Sequence, residues 1–339
     1  MDLPSLSIIT VSLNCERILE ECYSRIVDQD YPKDKIEMLL IDGGSTDKTK
    51  EVARNFGAEI IDGGYKDNQE ARRYVGFLNA KNEILVYIDS DNLIPEKNWL
   101  KRMARPFMED VEIVATQTLR YGYDKKQTLM NRYFALFGVN DPVAFYLGKA
   151  DRLPWFEKRW NLLGDIVYEA DGYYKVKFNS DSFPTIGCNG FLVKKKAFEK
   201  LQYRPEDFLH IDVNYDLIRM GFNCYGIVKT AIVHATADTF VKSIKKRMRY
   251  MQIYYQQIET SRRYKVFDST KRKDVLNLIK SIIFACTFFK PFYDSIKGYL
   301  KIKDIAWFIH PFACIGFVFG YGYSCLLNFY YTMRRKEEK

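Results

Sequence analysis

The hydrophobic pattern changes character twice along the 339 residues. Up to residue 115, four short apolar runs each stop at a polar turn: 6–11 (LSIITV), 36–41 (IEMLLI), 58–61 and 84–88 (ILVYI). Short, continuous runs rich in β-branched residues mark strands buried on both faces. Between the first two, Ile18, Leu19, Cys22, Ile26 and Val27 recur at helical spacing and end near Asp30-Tyr31-Pro32. A second helix is predicted to start from a Ser45 or Thr46 cap, with Asp47 near its positive end, and to run to Phe56. Residues 68–80 carry a third. Strands alternating with helices predict an α/β fold, a mostly parallel sheet flanked by helices on both faces.

Residues 116–183 break that rhythm with a concentration of rings, among them Tyr121, Tyr133, Phe137, Tyr146, Trp155 and Trp160. Their helix and strand signals are mixed, and the segment reads as an aromatic-rich insertion over the carboxyl edge of the sheet. Regular structure resumes over 187–232. From 241 onward Val241, Ile244, Met248, Met251, Tyr255 and Ile258 step alternately by three and four, one apolar stripe on a helix. Lys242, Lys245, Lys246, Arg247 and Arg249 crowd its other faces, the pattern of a basic amphipathic helix at a membrane interface. Residues 275–289 form an apolar run interrupted by Lys280, its single charged side chain, and 305–331 hold no formally charged side chain over 27 positions. At ~1.5 Å per residue such a helix is roughly 40 Å long, more than the ~30 Å hydrocarbon layer. Met333-Arg334-Arg335-Lys336 follows as a positive flank. The predicted organisation is an α/β domain over 1–240, with the aromatic-rich segment 116–183 inserted in it, followed by membrane-associating helices over 241–339. Hydropathy leaves open whether 275–331 spans the bilayer or lies on it, with buried core or oligomer helices as the alternative.

Charge sharpens this division. Residues 1–234 hold 32 Lys+Arg against 35 Asp+Glu, and residues 235–339 hold 20 against 8, so the excess of cations lies in the last third. A basic tail beside apolar helices points to an acidic membrane face. Nucleic acid would explain the basic helix but not the acidic turns described next. Seven cysteines without a C-x-x-C pair argue against a disulfide framework or zinc ribbon and favour a reducing compartment. The start, MDLPSLSIITVSLN, is not a signal peptide, so the catalytic part is expected on the cytoplasmic face of the membrane.

The sharpest local signal is Asp89-Ser90-Asp91-Asn92, directly after an apolar strand. Two carboxylates one residue apart cannot both be buried there. They belong in the crevice at the carboxyl ends of the strands, where they suit a hard divalent cation whose shell a diphosphate completes. Thr10-Val11-Ser12-Leu13-Asn14 ends the first strand, Asp42-Gly43-Gly44-Ser45-Thr46-Asp47 ends the second, and Ala71-Arg72-Arg73-Tyr74-Val75-Gly76 precedes the fourth. In order and spacing these motifs resemble the family 2 glycosyltransferases, whose catalytic domain has the GT-A (Rossmann-like) fold, across residues 5–250. Two positions depart from the family pattern: Gly43 stands where a second Asp is common, and Arg73 where Asn is.

The resemblance implies an inverting glycosyl transfer from a UDP- or GDP-sugar, dependent on Mn²⁺ or Mg²⁺. Asp42 would then accept a hydrogen bond from the base, Arg72 would contact base or phosphate, Asp89 the ribose or metal, and Asp91 the metal. Thr10, Ser12, Asn14 and Ser90 would line the nucleotide sugar. Phe183-Pro184-Thr185-Ile186-Gly187-Cys188-Asn189-Gly190 resembles the loop beneath the donor sugar, with Asn189 and Gly190 facing it; a plain glycine turn is the other reading. In His210-Ile211-Asp212, Asp212 takes the place of the catalytic base, although Ile211 replaces the usual acidic neighbour, and a cap is the alternative role. His234, after Ala231-Ile232-Val233, is placed to complete the metal site or to serve as a structural histidine. Arg247 and Arg249 lie where relatives hold cations near the diphosphate or acceptor. The aromatic insertion and basic tail favour a lipid-linked or cell-envelope glycan as acceptor. Two rivals share parts of this pattern: a sugar nucleotidyltransferase, which would carry a Gly-rich basic loop after the first strand, and a non-catalytic membrane scaffold on a transferase fold.

Overall fold

The computed structural model describes residues 2–236, 239–252 and 262–337. In chain order the first stretch forms β1 (Leu6–Ser12), α1 (Glu16–Val27), β2 (Ile36–Asp42), α2 (Thr49–Asn55), β3 (Glu59–Asp62), α3 (Gln69–Asn79), β4 (Ile84–Tyr87), β5 (Asn92–Leu93), α4 (Trp99–Glu109) and β6 (Ile113–Tyr121). Then come α5 (Leu129–Phe137), α6 (Pro142–Tyr146), β7 (Asp165–Glu169), β8 (Tyr173–Lys177), β9 (Phe191–Lys194), α7 (Lys195–Phe198), α8 (His210–Arg219) and β10 (Cys224–His234). Four further helices follow: α9 (Phe240–Tyr250), α10 (Arg272–Thr287), α11 (Phe289–Lys301) and α12 (His310–Glu337). Two compact units result, one from Met1–Gly122 and Leu163–Ala235, the other from Tyr123–Leu162 and Thr236–Lys339.

The first unit is built on one sheet in the order β3-β2-β1-β4-β9-β6-β10-β8-β7, with β5 pairing the end of β10. β3, β2, β1 and β4 run parallel. β9 is antiparallel to both neighbours, so the sheet is mixed beyond β4. Every residue of β1 and β4 is buried, and Leu39, Leu40 and Ile41 of β2 have no exposed surface. At about 1.5–3 kcal/mol for each fully buried aliphatic side chain, this apolar layer supplies the main stabilisation of the parallel half. Gly76 lets α3 lie close on it: a Cβ there would come 2.3 Å from Ile9 Cγ2.

The predicted Ser45 or Thr46 cap does not form, because those side chains have other work. Helix α2 starts at Thr49. The Ser45 hydroxyl accepts the Asn14 amide (2.9 Å) and Thr46 donates its amide to Asn14 Oδ1 (2.8 Å). Asp47 instead takes the Thr49 amide at 3.0 Å, next to the positive end of α2.

The second unit gathers α5, α6 and the C-terminal helices around an aromatic core. Tyr133, Phe137, Phe156 and Trp307 are buried together, with the Phe137 and Trp307 centroids 4.9 Å apart. Buried His310 lies against Phe137 and meets the hydroxyls of Tyr133 (3.0 Å) and Tyr146 (2.9 Å). Of the predicted amphipathic stripe, Ile244 and Met248 pack on α12, where a Cβ on Gly316 would come 2.7 Å from Ile244 Cδ1 and one on Gly320 3.3 Å from Met248 Cγ. Val241 is exposed, and Tyr255 and Ile258 lie outside the described residues. Helices α10 and α11 meet at an 80° bend at Phe288, whose φ is +60°. Residues Ile305–Tyr330 are long and apolar enough to cross a membrane.

Candidate active site

The carboxyl ends of β1, β2 and β4 bring the predicted residues together. β1 and β2 pair through Ser12 and Asp42, and the Ser12 hydroxyl donates to Asp42 Oδ1 (3.3 Å). The Gly44 and Ser45 amides donate to the other oxygen of Asp42 at 3.0 and 2.9 Å. Burial by itself would raise the Asp42 pKa; hydrogen bonds from Ser45, Gly44 and Ser12 outweigh it and hold the carboxylate below its ordinary range. Asn14, at φ +52°, ties this turn to the end of β1 through Ser45 and Thr46. Thr10 is fully buried one pleat earlier, beside the Tyr23 hydroxyl.

Arg72 comes from α3. It is buried against the Asp42 turn, and Nη1 donates to the Tyr65 and Lys66 carbonyls at 2.7 and 2.9 Å. A Cβ on Gly43 would stand 2.7 Å from that Nη1, so the guanidinium lies directly on the glycine backbone. The departure from the family pattern at Gly43 therefore leaves room for the arginine.

Asp89 and Asp91 take different surroundings. Both oxygens of Asp89 receive Arg73 Nη2, at 2.9 and 2.6 Å. Asp91 faces His234, with Nε2 3.3 Å from Oδ2. The antiparallel pairing of His234 with Asn92 and the bond from the Ala235 amide to the Asp91 carbonyl (2.7 Å) bring these residues together. Tyr121 stacks on the His234 ring at 5.8 Å. Ser90 is within hydrogen-bonding reach of the Cys15 thiol. Asn92 donates to Asn189 Oδ1 (3.1 Å) and so joins the acidic turn to the 183–190 loop. That loop needs its glycines: Gly187 and Gly190 sit at φ +122° and +76°, and a Cβ on Gly187 would lie 2.4 Å from Asn214 Nδ2.

A buried chain of charges that the motifs alone do not show runs behind this surface. Glu70 and Arg73, each 3% exposed, form an ion pair on α3. Glu70 also accepts the His210 amide (3.1 Å) and His210 Nδ1 (3.0 Å), and His210 Nε2 lies 3.6 Å from Cys188 Sγ. Burial disfavours the Glu70 anion, but Arg73 and His210 hold its pKa well below the carboxylate range. Burial likewise opposes a charged His210, yet the Cys188 sulfur and Glu70 push its pKa up to about 10. Arg73 thus links Asp89 to the start of α8, where Asp212 is buried in the first turn. The signal available in the sequence was Arg73 itself, a cation in a place where the family pattern has a neutral amide. Arg247 and Arg249 belong to α9 in the second unit, Arg247 over the Tyr250 ring and Arg249 exposed.

Among the described residues, no three His, Cys, Asp or Glu side chains form a cluster able to hold a metal by themselves. Asp91 and His234 offer one hard oxygen donor and one imidazole, a pair suited to a divalent cation that arrives with phosphate oxygens of its own.

Comparison with known proteins places this geometry. The profile of glycosyl transferase family 2 matches residues 7–185. Glycosyltransferase AglE of Haloferax volcanii is 34% identical over 105 residues, 30% of this chain and 34% of that protein, so the match spans about a third of AglE. A Methanococcus voltae enzyme named dolichyl N-acetyl-alpha-D-glucosaminyl phosphate 3-beta-D-2,3-diacetamido-2,3-dideoxy-beta-D-glucuronosyltransferase is 32% identical over 255 residues, 72% of this chain and 71% of its own. The solved structure of mannosyltransferase PcManGT from Pyrobaculum calidifontis, in complex with GDP-Man and Mn²⁺, superposes with a TM-score of 0.51 at 14% identity. It covers 95% of this chain and 88% of that one, a likeness of fold. With its acidic turns at the carboxyl ends of a GT-A sheet, the chain belongs to glycosyltransferase family 2.

Proposed function

We propose that this glycosyltransferase moves a sugar, with inversion, from a nucleoside-diphosphate sugar to a lipid-linked acceptor at the cytoplasmic face of a membrane. The observation that carries the reading is the meeting of Asp42, Arg72, Asp89, Asp91, Asn189 and His234 at one end of the sheet. An acceptor-only carboxylate in the Asp42 turn suits the N–H edge of a base, and Arg72 supplies fixed donors beside it. Ser12 and Asn14 hold that turn, Thr10 backs it, and Ser90, Asn189 and Gly190 line the sugar side. Asp91 and His234 would hold a divalent cation, Mn²⁺ or Mg²⁺, together with the donor's diphosphate. When bound, that cation neutralises charge growing on the leaving diphosphate. Asp89, engaged by Arg73, is better suited to the ribose than to the metal. Asp212 takes the proton from an acceptor hydroxyl as it attacks the anomeric carbon. For an acceptor that is already an ionised phosphate, no base is needed and Asp212 positions it instead. Arg247 and Arg249 meet anionic groups of the acceptor or donor.

The second unit supports the membrane part of the reading. Phe289 is 83% exposed and Leu326 70%, and Phe292, Tyr293, Leu300, Phe312, Phe319 and Phe329 also face outward. Apolar surface on this scale beside Lys290, Lys301 and Lys303 suits a lipid interface. The Methanococcus voltae relative is named for an acceptor carried on dolichyl phosphate, which favours a lipid-linked acceptor here. The test is a panel of UDP- and GDP-sugars with Mn²⁺ or Mg²⁺, read by thermal stabilisation, followed by transfer to polyprenyl-phosphate-linked and water-soluble acceptors. One stabilising donor and transfer to the lipid-linked acceptor are expected. Silence across the panel, or transfer only to soluble acceptors, overturns the proposal.

A further inference from the structure

The second unit holds a cavity of its own, of about 790 Å³. Its walls come from the start of α5, the start of α9 and the 3₁₀ segment Ile305–Ile309 that leads into α12. Leu129, Phe240, Ile305, Phe308 and Phe312 supply most of its apolar surface, and its polar side chains are Thr128 and Thr239. The volume is that of a small-molecule site. At roughly 30 Å³ for each water-sized group, it takes about 25 such groups, one hydrocarbon chain of about five isoprene units. The walls are fixed by the fold itself. Phe308 packs on Tyr299 (5.4 Å) and Phe292 (5.9 Å), and Phe312 on Phe288 (6.3 Å). Arg132 ties one wall to another: Nη1 donates to the Gln127 carbonyl, next to Thr128, and Nε to Asp304 Oδ2, next to Ile305, both at 2.9 Å.

The charge beside the cavity is positive. Asp304 is balanced by Arg132, while Lys303 lies 4.6 Å from the centre of the Tyr299 ring that backs Phe308, and Lys242 follows in the first turn of α9. Thr128 caps α5 by accepting the Asn131 amide (3.3 Å), and Thr239 caps α9 by accepting the Lys242 amide (3.4 Å). The positive ends of two helices therefore meet at the cavity, and an anionic group is favoured beside the threonines. The apolar surface continues from Phe312 along α12, where the exposed Phe312, Phe319 and Leu326 recur every seven residues and form one outward stripe. An anion-favouring polar part and an apolar part that opens on such a stripe suit an amphiphile with one long chain. A methyl-branched chain fills a ring-walled cavity more fully than a straight one of equal length, and each buried carbon adds to binding.

We propose that this cavity binds the hydrocarbon chain of a polyprenyl phosphate, with the phosphate against Thr128, Thr239 and Lys242. The proposal rests on the transferase reading only in taking this lipid to be the acceptor; binding needs no donor. The experiment irradiates the full chain in phosphatidylcholine nanodiscs, without nucleotide or sugar, with a farnesyl phosphate analogue that carries a benzophenone on its chain, and maps the labelled peptides. Label is expected on those holding 128–130 and 305–312. Geranylgeranyl phosphate should compete at least about tenfold better than geranylgeraniol, which lacks the anion, and than hexadecyl phosphate, which lacks the branches. Phosphatidylglycerol, with two chains, should not compete. Label elsewhere, or equal competition by any of these three, overturns the proposal without recourse to a variant. Leu129→Glu and Phe312→Glu, both at exposed positions, should each raise the probe concentration for half-maximal labelling at least about tenfold. Phe289→Glu, outside the cavity, should leave it unchanged. Unchanged labelling in both cavity variants overturns the proposal. Labelling as expected with no transfer from any donor refutes the transferase reading and leaves the lipid site standing, whereas transfer to a polyprenyl-linked acceptor without label at the cavity refutes the site alone.

Discussion

Replacing Glu70 with Gln removes one charge from the centre of the Asp89–Arg73–Glu70–His210 chain while conserving shape. The glutamate accepts from three donors, Arg73 Nη1, the His210 amide and His210 Nδ1, and is 3% exposed. Removing one partner of a buried ion pair costs about 3–5 kcal/mol. Arg73 keeps Asp89 as a second partner, which puts the loss at the low end, about 3 kcal/mol. For a unit of this size, with about 2–4 °C per kcal/mol, the melting temperature should fall by about 6–12 °C. The deficit carries a pH signature. The depressed Glu70 pKa contributes stability that is full above its unfolded value of about 4.3 and lost on acidification. The raised His210 pKa contributes stability that is full below about 6.5 and lost as pH rises through about 10. The gap between wild type and Glu70→Gln should therefore be widest near pH 5–6.5 and narrow as pH rises through about 10, above which the imidazole is neutral in both states. Calorimetric melts at pH 6, 8 and 10 measure it. A shift under 2 °C at pH 6, or a gap that widens with pH, would refute the charge-chain argument.

Three further outcomes are expected. Asp91→Ala and His234→Ala should each abolish stabilisation by Mn²⁺ with a nucleoside diphosphate and lower transfer by about 10²–10³-fold, read by calorimetry and by rate. Asp212→Asn should lower kcat by about 10²–10⁴-fold against a hydroxyl acceptor with donor affinity unchanged, as shown by a donor titration. Phe289→Glu and Leu326→Glu should each weaken flotation with phosphatidylglycerol-containing vesicles by about ten- to a hundredfold, given about 1.5–3 kcal/mol for each large apolar side chain withdrawn from lipid.

The parallel half of the sheet was legible because its signals are local. The runs at 6–11, 36–41 and 84–88 are continuous and β-branched, and they become β1, β2 and β4 within one residue at each end. The helix expected over 68–80 forms over Gln69–Asn79, held at its start by the Asn68 side chain. Signals that depend on distant partners were not legible. Nothing near Glu70 announces His210, 140 positions away, and nothing near Tyr121 announces that it stacks on His234. Ser45 and Thr46 have ideal capping chemistry, but Asn14, from the bend after β1, claims them first. The mixed signals over 116–183 have a physical source: the segment ends β6, contributes α5 and α6 to the second unit's core and returns as the β7–β8 hairpin. Neither a helical nor an alternating period could describe it whole.

The route of the chain bears on how the enzyme can be produced. Residues 123–162 leave the sheet after β6 and complete a hydrophobic interior whose other half is Trp307, His310 and Ala313, far downstream. Cutting the gene near codon 240 to obtain a soluble catalytic fragment would strip the cover from Tyr133, Phe137 and Phe156 and send the product into inclusion bodies. Expression should instead retain the greasy C-terminal helices and rely on detergent or nanodiscs to shield their outer side.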